Sequence, residues 1–179
     1  MTASNFPACL DFTLAHEGGF VDMREDRGGA TNMGITADTL ADWLGRAVAP
    51  QDVQGLTRET ARAIYQTEYW QPVNGNALPP GLDLMVFDFA VNVGPQTSAK
   101  HLQGLFKGLR QDGIIGNLTL TAIRMHALDW IIATLGLSQQ AYYNDIVQAS
   151  PTQSVFLAGW LARCSDRTAA AKTMALSDG

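Results

Sequence analysis

Two carboxylates and two small polar side chains near the N-terminus are the groups best suited to chemistry: Glu17, Asp26, Thr31 and Asn32. Their types match what cleavage of a glycosidic bond needs. In that reaction a carboxylic acid protonates the leaving oxygen, and a second polar group holds a water molecule or supports the developing positive charge. Asp26 follows Glu17 at a spacing that lets the intervening loop fold back. The same residues also fit a plain turn followed by an ordinary loop amide, so the pattern alone leaves the catalytic interpretation open.

Glu17 must be presented by the element that precedes it. A first helix is predicted to run to about His16, with Ser4 or Asn5 as its N-cap. Gly18-Gly19 then allows the chain to leave the helical conformation without side-chain bulk. Glu17 is therefore predicted at a helix-to-loop corner, open to a cleft on one side. A carboxyl group that is partly shielded from water keeps its proton longer, as a general acid requires.

Helix signals follow one another through the rest of the chain, and the glycine-rich stretch 18–35 is predicted to form an irregular loop or small β-ribbon. Thr36 and Thr57 are predicted to cap helices. Residues 82–93 are apolar nearly all round, which is typical of a central, buried helix, and Gly94-Pro95 ends it. Later helix starts are predicted at Asn117, Ser138 and Ser150-Pro151. The expected fold is mainly α, with about seven or eight helices.

Composition and missing motifs exclude several other classes of protein. The net charge is -5 and there is no lysine-arginine run, so nucleic acid is not an expected partner. His16-Glu17 is not part of a zinc-binding His-Glu-x-x-His motif, because position 20 is phenylalanine. Cys9 and Cys164 lack metal-site spacing, so no metal is expected. We expect both to be free, buried thiols, with a disulfide as the alternative.

A set of motifs spread along the chain closely resembles the family 108 glycoside hydrolases, which are N-acetylmuramidases found as phage endolysins and as bacterial lytic or secretion-assisting proteins. The resemblance covers nearly the whole chain in the expected order. Its main elements are Glu17-Gly18-Gly19-Phe20, Asp26-x-Gly28-Gly29-x-Thr31-Asn32-x-Gly34-Ile35-Thr36, Phe87-Asp88-x-Ala90-Val91-Asn92-x-Gly94 and Gly159-Trp160-x-x-Arg163.

The family is lysozyme-like in fold, so the resemblance implies a mainly α domain with a small glycine-rich loop or β-ribbon near the active site. It also implies Glu17 as the essential general acid. By analogy with small phage lysozymes, Asp26 is the second carboxylate, and the third position falls on Thr31 or Asn32, which the sequence does not separate. We expect a single domain over residues 1–179, with a catalytic lobe at 1–91. The helical lobe at 92–167 is similar to a peptidoglycan-binding segment.

Three further residues are candidates for substrate binding: Asp88, Asn92 and Tyr143. Asp88 and Asn92 are four residues apart and so share a helix face. Asn92-Val93-Gly94 resembles the Asn-Val-Gly of phage endolysins, so Asn92 either looks into the cleft or satisfies buried polar groups beside Asp88. Of Tyr142 and Tyr143, one is expected to pack in the core and the other to form a stacking wall for a sugar.

The resemblance implies hydrolysis of the β-1,4 bond between N-acetylmuramic acid and N-acetylglucosamine in peptidoglycan, with no cofactor required. Inversion is expected by analogy, although the outcome depends on whether the two carboxyl groups are roughly 6.5 Å or more apart, or about 5 to 5.5 Å apart. One alternative is a non-catalytic peptidoglycan-binding protein that assists secretion or lysis. Another is a hydrolase of chitin-like glycans.

The N-terminus has no basic start followed by an apolar run, which is the pattern of a secretory signal. We therefore expect synthesis in the cytoplasm without a signal peptide. Action on the periplasmic cell wall would then follow release through a holin or a dedicated export route. The expected partner is the glycan strand of peptidoglycan, and the default oligomeric state is a monomer.

Overall fold

A computed structural model describes residues 4–21 and 29–177 of the chain. Within these ranges the chain forms nine α-helices and one antiparallel pair of short strands. In chain order the elements are α1 (Phe6–His16), β1 (Thr31–Asn32), β2 (Ile35–Thr36), α2 (Ala37–Leu44), α3 (Pro50–Gln54), α4 (Arg58–Tyr65), α5 (Leu82–Val93), α6 (Pro95–Gly104), α7 (Asn117–Arg124), α8 (Leu128–Ala149) and α9 (Ser154–Ser177). A π-helical turn over Gln66–Trp70 continues α4. The prediction of a mainly α fold with a small β-ribbon is confirmed.

Helix α5 is the centre of the molecule, as its apolar sequence predicts. Its residues from Leu82 to Ala90 are all buried, and it contacts α1, α6, α8 and α9. Gly81, just before the helix, has a φ of +85°, and a Cβ atom there would lie 2.2 Å from the carbonyl oxygen of Ala171 in α9. Only glycine permits both this backbone conformation and this close approach. Helices α5 and α9 are therefore in direct backbone contact.

The core has two parts, which meet at α5. The larger part includes an aromatic group in which Phe6, Trp70 and Phe87 lie with ring centroids 5.3 to 5.8 Å apart. The smaller part surrounds Phe89 and Tyr143. Residues two apart on a helix point in nearly opposite directions, so Phe87 and Phe89 face different sides of α5. One helix thus connects the region that carries Glu17 to the helices at the end of the chain.

Local sequence signals predicted several helix ends correctly. The hydroxyl oxygens of Thr36 and Thr57 accept hydrogen bonds from the backbone amides of Thr39 and Thr60 at 3.2 and 3.1 Å, as N-caps do. The C-cap of α2 is Gly45, with a φ of +65°. Thr36 and Gly45 thus fix the two ends of α2, which follows directly after the β-hairpin.

Other predicted helix starts differ from the structure. Ser138 was predicted to begin a helix, but it lies inside α8, where its hydroxyl pairs with His101 Nδ1 at 2.8 Å. The serine therefore connects α8 to α6 instead of capping a helix. Asn117 is the first residue of α7, and Gly116 holds the cap position. After Ser150, a short 3-10 turn at Pro151–Gln153 precedes α9.

Cys9 and Cys164 are both buried and free, as expected from the sequence. Among the described residues, no single helix is long and apolar enough to cross a membrane. Helices α7 and α8 reach that length and composition only when taken together, and they meet at an angle of 116°.

Candidate active site

Glu17 lies at the C-terminal end of α1, where the sequence indicated. Its backbone is extended, with φ -87° and ψ 146°, so the chain leaves the helix at this residue. Its amide still donates to the carbonyl of Thr13 at 3.1 Å, which closes the last helical turn. The Glu17 side chain is 18 % exposed. The carboxyl group is therefore held on a fixed backbone and is only partly accessible to solvent.

Arg163 of α9 binds this carboxyl group directly. Its Nη1 donates to Glu17 Oε1 at 2.7 Å, while Nη2 and Nε donate to the two oxygens of Asp88 at 2.7 and 3.1 Å. The guanidinium fork thus spans two carboxylates, which a lysine ammonium cannot do with the same geometry. Arg163 was not among the predicted site residues, although it stands in the Gly159-Trp160-x-x-Arg163 motif. That motif was the only signal that could have identified it.

Asp88 lies behind Arg163 and is completely buried. It also accepts hydrogen bonds from Arg167 Nη1 at 2.7 Å and from the Thr13 hydroxyl at 2.9 Å. Burial acts to raise the pKa of Asp88, but the hydrogen bonds and charges of Arg163 and Arg167 outweigh it and hold the pKa below its usual range. Asp88 was expected to bind substrate. Asp88 is buried, and both of its oxygens are bound by the two arginines, so it cannot contact a substrate.

The network continues from Asp88 into the core. Arg167 donates from Nη2 and Nε to Gln139 Oε1 at 2.7 and 3.1 Å, and Gln139 Nε2 donates to the Met85 carbonyl at 3.0 Å. Within residues 4–21 and 29–177, every buried side-chain nitrogen and oxygen has a hydrogen-bond partner. Buried polar networks that are fully satisfied are rigid. The Glu17 carboxyl group is therefore anchored, through Arg163, to α5, α8 and α9.

The second oxygen of Glu17 faces the turn of the β-hairpin. Gly34 has a φ of +73°, and a Cβ atom at this position would lie 2.8 Å from Glu17 Oε2 and 2.5 Å from the Tyr65 hydroxyl. The Tyr65 hydroxyl donates to the Met33 carbonyl at 2.9 Å. Burial raises the pKa of Tyr65, with the charge of Glu17 adding to the effect, so Tyr65 stays a neutral donor. Gly34 and Tyr65 together set the distance between the hairpin and the carboxyl group.

The other predicted catalytic residues lie in or before this hairpin. Asn32 donates its side-chain amide to the carbonyls of Val53 and Gln54 at 3.0 and 3.3 Å, so it lies against α3. Thr31 is next to it on β1, and successive side chains on a strand point to opposite faces. Thr31 therefore points away from α3. Asp26 lies outside the described residues.

Asn92 and Tyr143 lie at the end of α5 and on α8. Asn92 is exposed. Tyr143 was expected to bind substrate, but it is only 4 % exposed, because it fills the space between Phe89 and Trp160, with its ring stacked on Trp160 at 5.0 Å. Burial raises the pKa of Tyr143 to about 12, and the nearby Asn92 side chain acts in the opposite direction. Of the tyrosine pair, Tyr143 is in the core and Tyr142 is partly exposed.

A cleft of about 500 Å³ lies beside this site. Its lining comes from α2, the π-helical turn and the junction of α5 and α6: Thr39, Asp42, Trp43, Glu68, Tyr69, Gly94 and Pro95. The Tyr69 ring lies 5.6 Å from the ring of Tyr65. The Tyr65 hydroxyl in turn donates to the Met33 carbonyl in the hairpin turn that faces Glu17. Clefts of this size bind small molecules or parts of polymers. The aromatic walls suit sugar rings, which present apolar faces.

The comparisons with known proteins agree with this architecture. Residues 10–94 match the family model described as glycosyl hydrolase 108, and residues 96–165 match a model described as a predicted peptidoglycan domain. No curated protein matches the chain. The chain is 40 % identical to Brucella abortus SagA, whose solved structure it matches over 96 % of its own length and 95 % of that chain with a TM-score of 0.83. With this lysozyme-like, mainly α fold and these matches, the chain belongs to glycosyl hydrolase family 108 and is a peptidoglycan-related hydrolase.

Proposed function

We propose that the protein hydrolyses the β-1,4 bond between N-acetylmuramic acid and N-acetylglucosamine, with Glu17 as the general acid. The observation that carries this proposal is the arrangement of the two Glu17 oxygens. Oε1 is fixed by Arg163 at 2.7 Å, and Oε2 lies next to Gly34 in the hairpin turn. A carboxyl group held in this way offers one oriented oxygen to a substrate, which is what proton transfer requires. Membership of a glycosyl hydrolase family and the match to a peptidoglycan domain support the choice of substrate.

In the proposed reaction, the proton on Glu17 Oε2 passes to the bridging oxygen as the bond from that oxygen to C1 of N-acetylmuramic acid breaks. Water adds to C1 from the opposite face and gives its proton to Asp26. Thr31 holds this water, because its side chain points away from α3, whereas the Asn32 amide is occupied by the Val53 and Gln54 carbonyls. Attack from the opposite face inverts the configuration at C1. NMR of the first-released anomer tests inversion.

The decisive experiment replaces Glu17 by glutamine, which keeps the volume and removes the acid. We expect the release of reducing ends from purified sacculi to fall by about 10²- to 10⁴-fold. Glu59→Gln is the matched control, since Glu59 is exposed on α4, away from the site, and this variant should retain full activity. Substantial activity in Glu17→Gln would contradict the proposed role of Glu17.

Two other functions give different results in the same assay. If the protein only binds peptidoglycan, the native protein and Glu17→Gln should both bind sacculi, and neither should release reducing ends. A hydrolase of chitin-like glycans would cleave chito-oligosaccharides faster than peptidoglycan. The proposed function requires release from sacculi by the native protein, together with slower cleavage of chito-oligosaccharides.

A further inference from the structure

Helix α9 begins with an exposed aromatic surface. Phe156 is 54 % exposed, and its ring lies 5.7 Å from that of Trp160, tilted by 32°. Trp160 in turn stacks on the buried Tyr143 ring at 5.0 Å and 23°. Phe156 and Trp160 are four residues apart, so they lie on the same face of the helix. Only the inner part of this aromatic row, Trp160, packs against the core, which leaves the Phe156 ring largely in water.

The same face of α9 leads to the active site. Arg163, three residues after Trp160, is the residue that holds Glu17 Oε1 at 2.7 Å. At about 1.5 Å of rise per residue, Phe156 lies roughly 10 Å along the helix from Arg163, which is about the length of two sugar rings in a strand. The aromatic surface is therefore continuous with the active site and within reach of a polymer bound there.

The end of α5 connects this surface to the cleft beside the site. That cleft, with Trp43 and Tyr69 in its walls, ends at Gly94 and Pro95. Asn92, two residues before Gly94, lies beside the Tyr143 hydroxyl. The Tyr143 ring in turn stacks on Trp160. The end of α5 therefore lies next to both the cleft and the aromatic rings at the start of α9. A polymeric substrate can contact both regions at once, whereas a small molecule contacts only one.

The aromatic surface at the start of α9 is suited to sugar rings and not to a second copy of the chain. Exposed aromatic rings on a soluble protein mark sites of contact, and the apolar faces of sugar rings stack on such rings. A second copy of the chain is a poor fit, because two aromatic side chains bury at most about 500 Å² and a stable interface needs about 800 Å² per partner.

We propose that Phe156 and Trp160 form a second sugar-binding surface, on which rings of the peptidoglycan strand stack while a neighbouring bond of the same strand lies at Glu17. This inference deepens the proposed function and rests on peptidoglycan being the substrate. It assigns a binding role to the start of α9, in addition to the positioning role of Arg163.

The test compares Phe156→Ala with Val155→Ala. Val155 is 76 % exposed and adjacent in sequence, but it lies on a different face of α9 and is the matched control. Phe156→Ala should weaken binding to purified sacculi about five- to tenfold and raise KM by a similar factor, with kcat changed by less than about twofold. Phe156→Tyr, which keeps the ring, should bind as the native protein does. Equal binding by Phe156→Ala and Val155→Ala, with unchanged thermal melting, overturns the inference.

Substrate variants identify what the rings contact. Glycan strands freed of their peptides should show the same loss of affinity with Phe156→Ala as intact sacculi. A loss seen only with peptide-bearing strands overturns the sugar assignment, as does a concentration-dependent dimer that Phe156→Ala abolishes. Failure of the proposed function gives a separate result. If the native protein releases no reducing ends while Phe156→Ala still weakens binding, the binding surface stands and hydrolysis does not.

Discussion

Arg163 in α9 donates to Glu17 Oε1 at 2.7 Å, although the two residues are 146 positions apart in the chain. The same guanidinium donates twice to Asp88, which is completely buried in α5. The orientation of the proposed acid therefore depends on the core, through Oε1, as well as on the hairpin turn that lies against Oε2. Since positioned catalytic groups lose much of their effect when displaced by about 1 Å, this connection should matter for turnover.

Arg163→Lys should lower kcat about 10- to 100-fold with little change in KM, because a lysine cannot hold both carboxylates through a planar fork. Arg163→Gln should also lower the free energy of unfolding by about 3 kcal/mol, since it removes one member of a buried ionic network. Steady-state kinetics and urea denaturation measure the two effects. Arg110→Lys, a change at an exposed position, is the control. An unchanged kcat in Arg163→Lys would show that the ion pair does not orient Glu17.

Asp88 should make the stability of the protein depend on pH in the acid range. Its pKa is held below the usual range in the folded state, so its contribution is fully present above its unfolded pKa of about 3.9 and is lost as the pH falls through the folded pKa. Asp88→Asn should lower the free energy of unfolding by about 3 to 5 kcal/mol at pH 7, because it leaves Arg167 buried without its counter-charge.

Urea denaturation at a series of pH values checks this expectation. The difference in stability between the native protein and Asp88→Asn should shrink as the pH is lowered from about 4 towards 2, because protonation then removes the same charge from Asp88. A difference that stays constant over this range would mean that the charge of Asp88 is not the source of its stabilising effect.

The elements near the site that could be predicted from sequence depend on local patterns. The bounds of α5 follow from an apolar run between glycines, and the position of Glu17 follows from a helix that ends just before Gly18-Gly19. Apart from the motif that contains it, Arg163 gives no local signal, because an arginine on a long helix is equally suited to solvent. Its role depends on the packing of α9 against α5, which only the folded chain reveals. Ser138 was misread because serine serves both as a cap and as a side-chain donor.

The choice between Thr31 and Asn32 shows the same limit. Alternation along a strand places the two side chains on opposite faces, but it does not say which face points to Glu17. That depends on α3, a five-residue helix that was not predicted and whose carbonyls bind the Asn32 amide. The proposal that Thr31 holds the water therefore rests on a contact with α3 that the sequence did not indicate.

Thr31→Val and Asn32→Ala should therefore have different effects. Thr31→Val keeps the branched shape and removes the hydroxyl, so it should lower kcat about 10- to 100-fold with stability almost unchanged. Asn32→Ala removes the hydrogen bonds to α3 and should cost about 1 kcal/mol of stability, with a smaller loss of kcat. Kinetics and thermal melting on the same preparations separate the effects. A larger loss of kcat in Asn32→Ala would exchange the roles assigned to the two residues.

Gly34→Ala tests whether the hairpin turn sets the position of the Glu17 carboxyl group. The new Cβ would lie 2.8 Å from Glu17 Oε2 and 2.5 Å from the Tyr65 hydroxyl, so one of these groups must move. We expect kcat to fall at least about tenfold because the carboxyl group is displaced. The positive φ of +73° at this residue adds a loss of stability of about 1 to 2 kcal/mol.

Gly45→Ala separates these two effects. Gly45 has a similar φ of +65°, but a Cβ atom there would meet nothing within 4 Å. This control should therefore lose about 1 to 2 kcal/mol of stability and keep its kcat. If Gly34→Ala and Gly45→Ala lose equal stability and only Gly34→Ala loses turnover, the loss comes from contact with Glu17 and Tyr65. Equal kcat values in the two variants would instead mean that the carboxyl group tolerates displacement by the hairpin.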